Sequence, residues 1–215
     1  MAEHIDGAVI VIAKTPVPGL VKTRLCPPLT EEQACDVAWA CLLDTLDAVA
    51  AVPSRRHVLL LDGEPGPWVP SGFEIIDQRG DGLAERLANG FADVADTAVL
   101  VAMDTPHAEP ARMSDALRAV ATTHEAAFGP ATDGGYWLIG LRAGVCAGEV
   151  FGDVPMSVPE TGTVQLDRMW RLGLRTFMLP ELADVDTYED LVSVAHVGRL
   201  AGLLSAAGPQ NPASA

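Results

Sequence analysis

The chain has few positively charged side chains, and this shortage restricts the partners that it can bind. Lys and Arg number 14 against 29 Asp and Glu among 215 residues, which gives a formal net charge of −15. The phosphates of nucleic acids and anionic membrane surfaces repel so acidic a chain. We therefore expect no nucleic-acid partner and no membrane partner, and an anionic substrate must be held by a local group of cations.

The sequence also lacks long apolar runs and paired cysteines. No apolar run reaches the ~20 residues that a membrane span needs, and the acidic start "MAEHIDG" is unlike a secretory signal. The 4 cysteines show no C-x-x-C spacing, which argues against a zinc site or a redox pair and favours free thiols in a reducing compartment. We expect a cytoplasmic protein.

Three signatures of common active sites are absent as well. The sequence contains no G-x-x-x-x-G-K-[ST] phosphate loop, no G-x-G-x-x-G dinucleotide fingerprint and no G-x-S-x-G nucleophile elbow. P-loop and dinucleotide-binding folds therefore have no support, and neither does serine hydrolysis.

The hydrophobic residues that are present alternate between strand and helix patterns. The β-branched run "AVIVIA" is typical of a strand buried on both faces, and Thr30 with Gln33 predicts the capped start of a long helix. Strand patterns occupy 8–13, 57–61, 73–76, 98–103, 126–131, 136–141 and 174–179, and helix patterns occupy 30–50, 81–95, 111–122, 160–173 and 186–200. This alternation predicts an α/β fold in one domain, residues 1–205, with a mostly parallel central sheet and helices on both faces. Residues 206–215 show no periodicity and are expected to be a disordered tail.

The loop "KTPVPGLVKTR" follows the first predicted strand and collects three scarce cations. Lys14, Lys22 and Arg24 could clamp phosphates, and Gly19 would let backbone N–H groups approach a ligand closely. A solvated basic loop explains the same residues equally well. If the loop does bind phosphates, neutralising Lys22 or Arg24 should weaken nucleotide binding far more than the fold.

Two aspartates are candidates for holding a metal. Asp104 ends the strand pattern at 98–103, where a carboxylate suits Mg²⁺ beside phosphate oxygens, and Asp186 could supply a second ligand. The alternatives are a turn role for Asp104 and capping of the last helix by Asp186 or Thr187.

The glycine-rich segment "GPATDGGYWLIGL" joins two strand patterns. Gly134 and Gly135 either make a hairpin turn or allow a ligand against bare backbone, and Asp133 could bind a hydroxyl, a metal or the turn itself. Tyr136 and Trp137 alternate, so one should face the core and the other a cleft.

Taken together, these residues resemble a known family. "AKTPVPGLVKTRL", "MDTP", "GPATDGGYWLIGL" and "DVDTYEDL" are similar, in order and spacing, to a bacterial family of GT-A-like transferases. That family is related to the phospholactate and phosphoenolpyruvate guanylyltransferases of deazaflavin cofactor biosynthesis, and the resemblance runs from about residue 8 to 195. It implies a GT-A, nucleotide-diphospho-sugar transferase-like fold.

The resemblance also implies roles for individual residues. The nucleotide-binding residues would be Ala13, Lys14, Gly19, Lys22, Arg24, Gln78, Gly80 and Arg86. The acceptor-binding residues would be Asp133, Gly134, Gly135 and Ser157, and the metal ligands Asp104 and Asp186. Lys14, Lys22, Arg24 and Asp104 would carry the catalysis. Relatives usually have a tryptophan before the serine where this chain has Met156, which leaves the acceptor open.

The leading hypothesis is a Mg²⁺-dependent nucleotidyltransferase, with Mn²⁺ as an alternative metal. It would join the nucleotide of a nucleoside triphosphate to a phosphorylated small-molecule acceptor and release pyrophosphate. A glycosyltransferase that uses a nucleotide sugar is the runner-up, and a nucleotide-binding module without turnover is a third reading. Three cations in one loop favour the triphosphate. The sequence leaves the base, the acceptor and a monomer or homodimer open.

Overall fold

Seven strands form one sheet in the computed structural model, which describes residues 4–194, 196 and 198–206. The strands are β1 Ile5–Lys14, β2 Ser54–Asp62, β3 Phe73–Asp77, β4 Ala98–Ala102, β5 Ala126–Pro130, β6 Tyr136–Leu141 and β7 Thr176–Met178. Their order is β3-β2-β1-β4-β6-β5-β7. Only β6 runs antiparallel to its neighbours, β4 and β5. The mostly parallel sheet and the hairpin around the glycine-rich segment are thus confirmed.

Helices cover both faces of this sheet. They are α1 Glu31–Ala50, α2 Leu83–Val94, α3 Pro110–Thr122, α4 Ala147–Phe151, α5 Thr161–Arg171, α6 Tyr188–Val194 and α7 Leu200–Ala206. The side chains of β1 alternate between two cores, since Val9 packs with residues of α1 and α3, and Ile10 packs with residues of α2, α4 and α5. A strand buried on both faces needs apolar residues at every position, and "AVIVIA" supplies them.

The helix boundaries follow the sequence signals closely at α1 and less closely elsewhere. The Thr30 hydroxyl accepts a hydrogen bond from the Gln33 N–H, and the Gln33 side chain accepts one from the Thr30 N–H. The helix predicted from Asp81 instead begins at Leu83 after Gly82, which offers no capping side chain. Of the helix predicted over 186–200, the structure shows α6, and neither α7, which begins at Leu200, nor the short α4 was predicted.

Other predictions concern the ends of the chain and its surroundings. Residues 207–215 of the predicted tail lie outside the described residues, and Ala206 ends α7. Within the part of the chain that the structure describes, no helix is both long and apolar enough to cross a membrane.

The strand order reverses between β1 and β4, and this position determines where a ligand is expected. The chain runs from β1 outward to β2 and β3, then returns to place β4 on the other side of β1. In open α/β sheets, ligands bind beyond the carboxyl ends of the strands at such a reversal. Lys14 ends β1 and Asp104 follows β4, so both lie at this position.

Candidate active site

The loop after β1 sends a lysine across to the carboxyl end of β4. Lys22 Nζ donates a hydrogen bond to Asp104 Oδ2 at 2.9 Å. The Lys22 side chain is only 8% exposed and that of Asp104 is 28% exposed. The Lys22 backbone is left-handed, with φ 47°, which is uncommon for a residue other than glycine. The loop therefore holds an ammonium group inside the protein against one carboxylate.

Charges around this pair shift the pKa values of the buried groups. Burial alone would lower the pKa of Lys22, but the charge and hydrogen bond of Asp104 outweigh it and raise that pKa above its ordinary value. On the neighbouring helix α1, burial raises the pKa of the Cys41 thiol to about 12. Lys22 is therefore charged and Cys41 is a neutral thiol at physiological pH.

A second ion pair joins the same loop to the segment before α6. Arg24 donates a hydrogen bond to Asp186, and the Arg24 side chain is 73% exposed. Helix α6 is capped by Thr187, whose hydroxyl accepts from the Asp190 N–H, so the Asp186 carboxylate is not used as the cap. Asp186 is thereby left to face the loop cation.

A cleft of about 450 Å³ opens beside these two pairs. Its charged lining residues are Arg24 and four aspartates, Asp104, Asp133, Asp184 and Asp186. Burial, followed by the charges of Asp104 and Asp133, raises the pKa of Asp184 to about 6. Burial is the main cause of that shift, and the nearby carboxylates add a repulsion that a bound cation would relieve.

The chemistry of these carboxylates fits a hard divalent cation, but only as part of its ligand set. Mg²⁺ is usually held by one or two carboxylates together with substrate phosphates and water. Among the described residues, no group of three or more His, Cys, Asp or Glu side chains is arranged to hold a metal. Asp104 and Asp186 line one cleft, so they would supply two carboxylates, and phosphate oxygens would have to complete the set.

The residues predicted to bind the nucleotide lie together at the carboxyl ends of β1, β2 and β3. Gln78 Nε2 donates to the carbonyls of Ala13 at 2.7 Å and Leu60 at 3.0 Å. Arg86 donates to the Gly80 carbonyl at 3.3 Å and to Asp62 Oδ2 at 2.6 Å. These side chains are thus engaged with the protein itself, and they do not line the cleft.

The remaining loop residues have different positions. Lys14 Nζ donates to the Leu20 carbonyl at 2.9 Å and closes the loop on itself, with Gly19 at φ 76° in the turn. Of the predicted loop cations, Arg24 lines the cleft, and Lys22 reaches its edge through Asp104.

Three of the four predicted acceptor residues line the same cleft. Asp133 Oδ1 accepts from the Gly135 N–H at 2.8 Å, and Asp133, Gly135 and Ser157 line the cleft. Gly134 lies behind them with φ 88°, and a Cβ there would collide with the Pro159 carbonyl. The glycines therefore serve both the turn and close packing against the loop 155–161.

An apolar wall of this cleft was not predicted from the sequence. Its residues, called the apolar wall below, are Ile12, Leu83, Leu87, Leu100, Tyr136, Met156 and Val158. The expectation for the aromatic pair is met, because Trp137 is buried in one core and Tyr136 faces the cleft from the other. Leucines in the first turns of a helix are typical of core residues. The one signal in the sequence was the position of Leu83 and Leu87 directly after "QRGDG".

Comparison with known proteins identifies relatives that match much of the chain. Residues 43–158 match a family described as "Uncharacterized protein conserved in bacteria" (DUF2064). A phosphoenolpyruvate guanylyltransferase from Mycolicibacterium gilvum is 30% identical over 190 residues, covering 82% of this chain and 84% of the relative. The matches place the chain among nucleotide-dependent transferases, as the motifs predicted.

Solved structures share the fold. A Desulfovibrio desulfuricans protein described as a nucleotide-diphospho-sugar transferase superposes with a TM-score of 0.82 at 24% identity, over 95% of each chain. Glucosyl-3-phosphoglycerate synthase from Mycobacterium tuberculosis, solved with Mn²⁺ and UDP, gives 0.53 at 13% identity, over 85% of this chain and 71% of its own. The predicted GT-A-like fold is confirmed.

Proposed function

The chain belongs to the DUF2064 family, and from that premise we propose that it is a Mg²⁺-dependent nucleotidyltransferase. It joins the nucleotide of a nucleoside triphosphate to a phosphorylated small molecule and releases pyrophosphate. The relative from Mycolicibacterium gilvum, a guanylyltransferase by name, supports nucleotidyl transfer over other chemistry. We also propose that residues 1–205 act as one catalytic domain.

One observation carries the proposal. Two cations of a single loop, Lys22 and Arg24, meet two carboxylates, Asp104 and Asp186, at the carboxyl ends of the strands where their order reverses. Cations beside carboxylates are what a metal-bound triphosphate requires, because the cations pair with phosphate oxygens and the carboxylates with the metal.

The chain's own residues account for most of the proposed chemistry. An oxygen of the acceptor phosphate attacks the α-phosphorus of the triphosphate, a new P–O bond forms, and the bond to the bridging oxygen breaks to release pyrophosphate. Lys22 and Arg24 stabilise the charge that develops on the phosphate oxygens. A divalent metal held by Asp104 and Asp186 would neutralise further charge on the triphosphate. No protein nucleophile is needed, because the acceptor itself supplies the attacking oxygen.

The nucleoside half is proposed to lie over β1, β2 and β3, where Ala13, Gln78, Gly80 and Arg86 are linked by hydrogen bonds. Lys14 and Gly19 shape the phosphate loop beside it. The acceptor is proposed to lie in the cleft against Asp133, Gly135 and Ser157.

Thermal-shift measurements test the proposal. We expect nucleoside triphosphates with Mg²⁺ to raise the melting temperature by mass action, and to do so more than nucleotide sugars at equal concentration. Stabilisation by nucleotide sugars alone would instead support a glycosyltransferase, and the Mycobacterium tuberculosis neighbour, a glucosyl-3-phosphoglycerate synthase by name, was solved with UDP. Pyrophosphate release with a phosphorylated acceptor then measures turnover.

Asp104→Asn tests the proposed metal role directly. The variant should lose the Mg²⁺-dependent part of the shift, while Glu109→Gln, at an exposed acidic residue outside the cleft, should keep it. An unchanged Mg²⁺ dependence in Asp104→Asn would refute the assignment of that ligand.

A further inference from the structure

We propose that the acceptor carries one phosphate and an otherwise uncharged, apolar body, as a short alkyl or alkenyl phosphate does. This inference rests on the proposed function, because it concerns the subsite that would receive the acceptor. Its basis is the chemistry of the two sides of the cleft.

One side of the cleft is apolar from its floor to its rim. The floor is closed by core residues, since Leu100 of β4 is 3% exposed and Leu87 of α2 is 2% exposed, and half-buried Ile12 of β1 lies beside them. At the rim, Leu83 is 42% exposed and Val158 is 40% exposed, so the apolar surface continues to the solvent. The exposed part of this surface, chiefly Leu83 and Val158, gains free energy when a ligand covers it.

The apolar wall contains no charged side chain that could balance a second anion. Its one polar side-chain group is the Tyr136 hydroxyl, which stays protonated because burial raises its pKa, and which contacts the Met156 sulfur at 3.9 Å. Tyr136 is therefore a weakly polar part of the wall.

The charged side of the cleft provides for one phosphate only. Arg24 is the single cation among the lining residues, against four aspartates. Because Lys22, Arg24 and a metal on Asp104 and Asp186 would also serve the triphosphate, they would balance at most one acceptor phosphate beside it. A carboxylate on the same acceptor would meet Asp133, Asp184, apolar side chains or the neutral hydroxyls of Ser157 and Tyr136, and burying it without a balancing cation is costly. Acceptors such as phosphoenolpyruvate are therefore disfavoured.

The loop that carries part of the wall is tied down. The Thr161 hydroxyl donates to the Pro155 carbonyl at 2.9 Å and accepts from the Val158 N–H at 3.1 Å. These bonds hold Met156 and Val158 in place against the cleft. A cleft of about 450 Å³ is within the usual size of small-molecule sites.

Calorimetric titration tests the inference without requiring turnover. The protein is first mixed with Mg²⁺ and a nucleoside triphosphate analogue that has a methylene group in place of the α,β-bridging oxygen. It is then titrated with methyl, ethyl, propyl and butyl phosphate and, separately, with phosphoenolpyruvate. We expect the affinity to rise about fourfold for each added methylene group. This factor is the free energy gained by burying one methylene group, converted to a ratio of binding constants. Phosphoenolpyruvate should bind at least tenfold more weakly than propyl phosphate. A flat series, equal or tighter binding of phosphoenolpyruvate, or no binding by any probe would overturn the proposal.

Substitutions place the preference at the apolar wall. Met156→Arg should reduce the gain for each methylene and strengthen phosphoenolpyruvate binding, because it adds a cation beside Tyr136. Leu83→Arg, at the exposed rim, makes the same test if the first variant does not fold. Met178→Arg, on an exposed position of β7 outside the cleft, is the matched control and should leave the series unchanged. If both cleft variants behave like Met178→Arg, the apolar wall does not select the acceptor.

The same titrations separate this inference from the proposed function. Triphosphate binding is measured first, and the alkyl series is repeated without nucleotide. Failure of the triphosphate to bind, with the alkyl series intact, refutes nucleotidyl transfer alone. Triphosphate binding with a preference for phosphoenolpyruvate refutes the apolar acceptor alone.

Discussion

The buried ion pair of Lys22 and Asp104 should couple the stabilities of variants at the two positions. At 2.9 Å and an effective dielectric constant of about 20, the gross Coulomb attraction is roughly 6 kcal/mol. Most of it is offset by removing the ammonium from water, since Lys22 is 8% exposed. Because Asp104 stays partly hydrated, we expect a net coupling energy of about 2 kcal/mol. This value lies between those typical of exposed ion pairs and of fully buried ion pairs.

Urea unfolding of ligand-free protein, followed by tryptophan fluorescence, measures this coupling in a double-mutant cycle. Asp104→Asn should lose about 3 kcal/mol of unfolding free energy, because it leaves a buried ammonium beside a neutral amide. Lys22→Met should lose less, about 1 to 2 kcal/mol, because water can reach the remaining carboxylate. The double variant should lose about 2 kcal/mol less than the sum of the two.

Arg24→Gln is the control for this cycle. Arg24 is 73% exposed, and exposed ion pairs contribute about 0 to 1 kcal/mol, so its stability should change little. The burial of Lys22 thus adds a predicted cost to the fold, whereas for Arg24 the sequence-based prediction of an effect chiefly on binding is unchanged. Losses at Lys22 and Asp104 that add to within about 0.5 kcal/mol would refute the reasoning, because independent sites add in that way.

Three further predictions concern other parts of the molecule. The folded-state pKa of Asp184 is about 6 against an ordinary 3.8, so the folded protein loses stability as the pH rises from 3.8 to 6 and Asp184 ionises. Asp184→Asn should therefore stabilise the ligand-free protein above pH 6 by about 1 kcal/mol, after allowing for solvent screening, and should not stabilise it below pH 4. Urea titrations at each pH measure this difference. The Arg175 guanidinium lowers the pKa of Glu125 to about 2 from 4.5, so Glu125→Gln should lower the urea midpoint above pH 4.5, and the difference should disappear toward pH 2. Gly134→Ala should lower the melting temperature more than Gly144→Ala, because both have a positive φ but only at Gly134 would the new methyl group meet a backbone carbonyl. Equal effects of the two alanine variants would contradict the proposed close packing.

Local sequence patterns predicted the larger elements because each pattern reports a local requirement. The apolar run "AVIVIA" predicts a strand buried on both faces, and β1 is buried on both faces. Thr30 and Gln33 form the hydrogen bonds that cap the start of α1. The five-residue helix α4 was not predicted, since so short a helix spans too few turns to show a periodicity. Asp81 was expected to cap α2, but its own N–H donates to Glu85 and the helix begins two residues later.

The candidate site was predicted in part, for a similar reason. Residues that follow strands, such as Lys14 and Asp104, are brought to one edge by any parallel sheet, so their proximity was foreseeable. The contact between Arg24 and Asp186 spans 162 positions of the chain, and the resemblance, not the spacing, associated the two residues. Their direct pairing with loop cations was not predicted, because the sequence assigned the carboxylates to a metal.

The sequence by itself determined an acidic α/β chain with a cationic loop after its first strand and aspartates after later ones, because burial patterns and strand ends are local properties. Only the tertiary structure decided that Lys22 turns inward to Asp104 while Arg24 remains exposed. It likewise decided that Leu83, Met156 and Val158 lie on one wall of a cleft. Their sequence neighbourhoods are those of ordinary core residues, and whether such a side chain meets another side chain or an open cleft depends on how distant segments pack.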